Sequence, residues 1–139
     1  MKSIQTLIKL QQRQLDEKRR ILKQLIDQEE MLKAKKESLK LSIIEERKKA
    51  LEDVQTAYTL AAFIKMTEQN IELLGVQIIE TQQKAEVVRQ EIAEIFNELK
   101  RLEIYDKMKE DEIVAEENKR EQKDMDEMGL RGFIYKDQT

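Results

Sequence analysis

Apolar residues return at alternating steps of four and three along most of this chain. Positions 64, 71, 78, 85, 92 and 99 are Ile, Ile, Ile, Ala, Ile and Leu. The interleaved positions 60, 74, 88, 95 and 102 are Leu, Leu, Val, Ile and Leu, with Thr67 and Thr81 as polar lapses. That spacing puts all of them on one stripe of a helix, the signature of a coiled-coil strand. A weaker stripe precedes it: Ile4, Ile8, Leu15, Leu22, Leu25, Leu32, Leu39 and Ile43, interrupted by Gln11, Lys18, Glu29 and Lys36. Polar seam residues weaken such a stripe and can specify its register. With no proline anywhere, nothing forces either helix to break.

The pattern predicts an all-α chain in three parts: a first coiled-coil helix over 1–54, a second, longer helix over 55–128, and a flexible tail over 129–139. The segment Glu52-Asp53-Val54-Gln55-Thr56-Ala57-Tyr58-Thr59 separates the stripes without glycine or proline. Asp53, Thr56 and Thr59 can each cap a new helix start, because short oxygen-bearing side chains accept from free amides there. A reversal is expected near 53–57. The competing arrangement is one continuous helix running through, buried in a parallel dimer. Gly129 and Gly132 read as a helix stop.

Charge bears on that choice. Residues 1–55 hold 14 basic and 10 acidic residues, whereas 56–139 hold 12 and 19. The two halves attract when folded together, and a parallel dimer would set like against like. Each exposed pair is worth only about 0.2–1 kcal/mol, so the bias is small. It favours a long antiparallel two-helix coiled-coil hairpin with a projecting C-terminal helix. The projecting part, with 11 acidic and 5 basic residues in 103–128 and few apolar anchors, is marginal as an isolated helix.

Composition narrows the chemistry. The 139 residues are 40% charged and 4% aromatic, too little bulk for a compact single core. The absence of histidine removes the usual neutral-pH proton shuttle, and the absence of cysteine removes thiol nucleophiles and thiolate zinc sites. The three glycines form no phosphate loop or dinucleotide fingerprint. Adjacent carboxylates such as Glu116 and Glu117 point about 100° apart on a helix and do not converge on one ion. No catalytic, cofactor or metal site is expected. The basic runs at 18–20, 33–36 and 47–49 are interrupted by acids, so nucleic acid is not an expected partner. No 18-residue apolar run is present, and the start turns polar too soon for a signal peptide, so a cytoplasmic chain without direct membrane insertion is expected.

Two short segments carry more. Tyr58, Leu60, Phe63, Ile64 and Met66 cluster after the expected bend, where Phe63 either closes the hydrophobic end of a hairpin or marks a partner site. Ala62-Phe63-Ile64-Lys65-Met66-Thr67-Glu68-Gln69-Asn70-Ile71 is similar to the F-I-x-x-L-E-x-x-I pattern of the FliJ/YscO family of bacterial type III export systems. Asn118-Lys119-Arg120-Glu121-Gln122-Lys123-Asp124-Met125-Asp126-Glu127 resembles the family's C-terminal run ending in a hydrophobe and Asp-Glu.

The resemblance implies a non-enzymatic central stalk of a flagellar or injectisome export apparatus, cytoplasmic and peripheral to the inner membrane. Its partners would be a hexameric export ATPase, whose assembly and activity it promotes, the cytoplasmic domain of the export gate protein, and for some members export chaperones. It implies gate contacts through Phe63, Thr67, Asn70 and Leu74, beside Tyr58, although Thr67 stands where the family has leucine. It implies ring contacts through Lys119, Arg120, Gln122, Lys123, Met125, Asp126 and Glu127. The alternative is a structural coiled-coil homodimer acting as scaffold or adaptor.

Overall fold

The computed structural model describes the backbone of residues 2–137 and the side chains of residues 3–132. It contains two helices, α1 over Lys2–Ala50 and α2 over Val54–Asp137, and no strand among the described residues. The protein is all-helical.

The connection is a three-residue turn at 51–53, slightly earlier than the expected 53–57, and α1 ends at Ala50 rather than near 54. Its backbone tightens as α1 closes: Leu51 N–H donates to Lys48 O at 3.2 Å, and the amides of Glu52 and Asp53 both donate to Lys49 O at 3.0 and 2.9 Å. Arg47, Lys48 and Lys49 occupy the last turn of α1, where cations complement the exposed carbonyls. Of the three candidate caps, Asp53 acts. Its Oδ1 accepts from Gln55 N–H at 3.1 Å and its Oδ2 from the Thr56 hydroxyl at 3.0 Å. Thr59 instead donates back to Gln55 O at 3.3 Å, inside the helix already begun. No described residue takes a positive φ, so the reversal needs no glycine.

Two compact units divide the chain, one formed by 13–95 and the other by 1–12 with 96–139. In the first, the buried residues are Leu15, Leu32 and Ile43 on α1 and Thr67, Ile78, Thr81, Ala85 and Val88 on α2. Half-buried Lys18, Leu22, Leu25, Glu29, Lys36 and Leu39 fill the intervening steps on α1, as do Leu60, Ile64, Ile71, Leu74 and Ile92 on α2. The steps of four and three in the sequence are therefore the steps of burial. Each fully buried aliphatic side chain contributes about 1.5–3 kcal/mol.

The polar lapses are accommodated one by one. Lys18 pairs with Glu91. Gln82 Nε2 donates to Glu29 Oε1 at 2.8 Å, and Lys33 pairs with the same carboxylate at 3.0 Å. Lys36 Nζ lies 3.7 Å from the position a Cβ on Gly75 would take, in the space the missing side chain leaves. In these three contacts the α2 number falls as the α1 number rises. Thr81 donates to Gln77 O at 2.8 Å and satisfies its hydroxyl within α2. Among the described residues no fully buried side-chain nitrogen or oxygen lacks a partner.

In the second unit Ile4 and Leu99 are buried, and Ile8, Gln11, Leu102, Asp106 and Lys109 are half-buried. After Lys109 the burial stops: every residue from 110 to 132 is exposed. The helix does not end at Gly129 as expected but continues through Gly132 to Asp137. Neither glycine adopts the left-handed conformation that a helix stop uses, and no proline follows. Residues 138 and 139 of the expected tail lie outside the described residues.

Candidate interaction surfaces

The first candidate surface follows from the seam itself. Residues that stand one step to either side of it form two flanks, each partly open to solvent. On one flank lie Phe63, Asn70 and Gln77, seven residues apart. Phe63 and Leu74 are half-buried, Asn70 is exposed, and Tyr58 is 91% exposed at the turn. Thr67 is only 5% exposed and is part of the packed seam. A small hydroxyl-bearing residue fits there because the seam, not the surface, uses that position.

Sequence reasoning missed the floor of this flank. Asn70 and Leu74 join Lys35, Ser38, Leu39, Leu73 and Gln77 around an open groove of about 320 Å³. Leu73 is the informative member. Two successive leucines, 73 and 74, cannot both face the seam, since neighbours on a helix point about 100° apart. Leu73 stands 59% exposed beside the groove. That doublet was the signal in the sequence.

The turn exposes three large apolar residues more fully than any other described part of the chain. Leu51 is 88%, Val54 84% and Tyr58 91% exposed. The Asp53 cap, with Gln55, Thr56 and Thr59, lines a recess beside Tyr58. An apolar tip of this kind buries nothing within the chain and is suited to contact with another molecule.

The second candidate surface is the bare part of α2. Lys119, Arg120, Gln122, Lys123, Met125, Asp126 and Glu127 are all exposed on one continuous helix. At 100° per residue, six of them share an arc of about 160°, Met125 lies outside that arc, and Glu121 and Asp124 hold the opposite side. Gln122 Nε2 donates to Asp126 Oδ1 at 3.5 Å, and Met125 is accompanied by exposed Met128 and Leu130. One turn earlier, Lys109, Glu112, Ile113, Ala115, Glu116 and Lys119 surround a shallow recess, where Lys109 pairs with Glu112 at 3.5 Å. Lys100 lies 5.3 Å from the Phe96 ring centroid and Lys109 5.5 Å from that of Tyr105, each four residues along the same helix.

The Glu29 carboxyl is held below its ordinary pKa, first by the hydrogen bond from Gln82 and then by that from Lys33. Among the described residues no group of three or more acidic side chains could hold a metal ion, and no helix is long and apolar enough to cross a membrane. No protein-family model, curated protein or solved structure matches the chain.

Proposed function

We propose that this chain is an antiparallel two-helix coiled-coil hairpin with a projecting C-terminal helix, and that it works without chemistry of its own as a central stalk of a bacterial type III export apparatus. The observation that carries the reading is the abrupt change at Lys109. Up to that residue α2 has a half-buried seam, and from 110 to 132 it is bare on every side. A helix that buries nothing in its own chain is ordered best by an enclosing partner. The opposite numerical order of the contacts Lys18–Glu91, Glu29–Gln82 and Lys36–Gly75 supports the hairpin.

In this reading the charged segment 110–132 enters a hexameric export ATPase and promotes its assembly and turnover. Lys119, Arg120, Gln122, Lys123, Met125, Asp126 and Glu127 supply contacts to loops of the ring, which suits a charged segment that buries nothing in its own chain. The groove flank with Phe63, Asn70 and Leu74, together with Tyr58, meets the cytoplasmic domain of the export gate protein. Export chaperones are further partners. The chain would then lie in the cytoplasm, at the inner-membrane face of the apparatus.

Truncation after Met108 tests the assignment. The shortened chain should keep its coiled coil, seen as a cooperative thermal transition in circular dichroism, and lose stimulation of the ATPase. Undiminished stimulation by a folded truncate would remove the ring from the function of this segment.

A further inference from the structure

The flank opposite the groove has its own character. Here Lys36, Ile71, Glu72, Gly75, Val76, Ile78 and Ile79 border an open depression. Val76 and Ile79 are 51% and 55% exposed, and Ile44 on α1 is 49% exposed. From 71 to 79 the chain reads Ile-Glu-Leu-Leu-Gly-Val-Gln-Ile-Ile, so α2 is apolar nearly all round at this height. A helix with that pattern is normally covered on more than one side. One neighbouring helix covers only the seam. Gly75 withholds a side chain where another backbone could approach, and only Lys36 Nζ lies near the vacant position.

The charges on the flank are sorted by helix. Lys36, Lys40 and Arg47 lie along its α1 edge, with Glu37 beside them, while Glu68 and Glu72 lie along its α2 edge, with Lys65 one turn before them. None of these residues joins an ion pair among the described residues, although Lys33, Lys49 and Arg89 nearby all do. A basic edge and an acidic edge, side by side and unpaired, are complementary to the same surface turned over.

We propose that this flank is an interface between two copies of the chain. A two-fold axis along the helices lays α1 of one copy on α2 of the other, and each copy repeats the contact in reverse. The spacing of the contacts within the chain then sets Lys40 and Arg47 of one copy near Glu68 and Glu72 of the other. Val76, Ile79 and Ile44 lie between the charged rows. A two-fold axis across the helices would instead stack basic edge on basic edge and acidic on acidic, which charge disfavours. The resulting four-helix arrangement leaves the groove with Asn70 and Leu73 open on the other side. It does not depend on the export reading.

Sedimentation equilibrium of the full chain tests it, with circular dichroism to confirm helicity. At low salt and micromolar concentration the expected mass is twice the 16.6 kDa of one chain. Reversing one edge, as Glu68→Lys with Glu72→Lys or as Lys40→Glu with Arg47→Glu, should weaken self-association at least tenfold with helicity kept. Combining both reversals restores complementarity and should restore the dimer. Should a reversal lower helicity, Ile79→Gln gives the apolar arm of the same test and is expected to weaken the dimer with the helices intact. A wild-type mass of one chain up to hundreds of micromolar overturns the interface and leaves the flank to a different partner. A dimer that survives either reversal, or a double reversal that stays monomeric, overturns the charge-matched arrangement.

Discussion

Residues 13–95 and 110–132 are both helical and both rich in charge, yet they are held in their helices by different means. In the first region every third or fourth residue is withdrawn from water, and Lys18 and Glu29 among the polar members of the seam have partners across it. In the second no residue is withdrawn, and the interactions are short-range ones along a single helix, such as Gln122 with Asp126. Helical geometry alone therefore says little about what stabilises a segment. Packing of one face supplies most of the stability of a helix in water, and a segment without that face depends on weak local pairs of about 0.2–0.5 kcal/mol each.

The sharpest way to break this contrast is to delete the same apolar bulk from both regions. Ile78→Ala removes a buried seam residue and should cost about 2 kcal/mol or somewhat more, the low end of the usual range for a core truncation because the seam is narrow. Ile113→Ala, at an exposed position, should stay within about 0.5 kcal/mol. Paired urea denaturations would measure both, and equal losses would show that 110–132 is packed after all.

A smaller effect is expected at the turn. Asp53→Ala removes the acceptor for the Gln55 amide and the Thr56 hydroxyl and should lower stability by about 1 kcal/mol. Asp53→Asn retains one acceptor and should lose less. If both variants melted together with the wild type, the cap would have no part in closing the turn.

The smallest effect sharpens the role of the polar seam. Glu29 has a lowered carboxyl pKa in the folded chain, so its contribution to stability is present above the ordinary carboxylate pKa and is lost as pH falls through the lowered value. Glu29→Gln should therefore show a flatter decline of melting temperature in the acid range than the wild type. Parallel acid titrations followed by thermal melts would reveal whether the Glu29–Gln82–Lys33 cluster stabilises the coil.

Much of this molecule is legible in its sequence, because the most local of its properties are written at fixed spacing. The positions of Leu15 and Leu32 on the stripe of α1, and of Ile78 and Leu99 on that of α2, follow from periodicity, as do the polar lapses at Lys18, Glu29, Lys36, Thr67 and Thr81. Asp53 was recognisable as a cap by residue type alone, though not as the one chosen from three. The bare C-terminal segment was likewise visible as a loss of apolar period, and its weak amphipathy gave no single face to a binding site.

Periodicity alone determined that the chain is helical and which residues on each helix share its apolar stripe. Tertiary structure decided the rest: the turn at 51–53, Glu29 against Gln82 and Lys18 against Glu91, the inward position of Thr67, the groove beside Leu73, and the helix running on past Gly129. The physical reason is one of range. A stripe depends on neighbours three and four residues away, whereas a turn, a cross-helix partner and an open flank depend on how far the second helix has slid along the first. Side-chain spacing within one helix does not contain that distance.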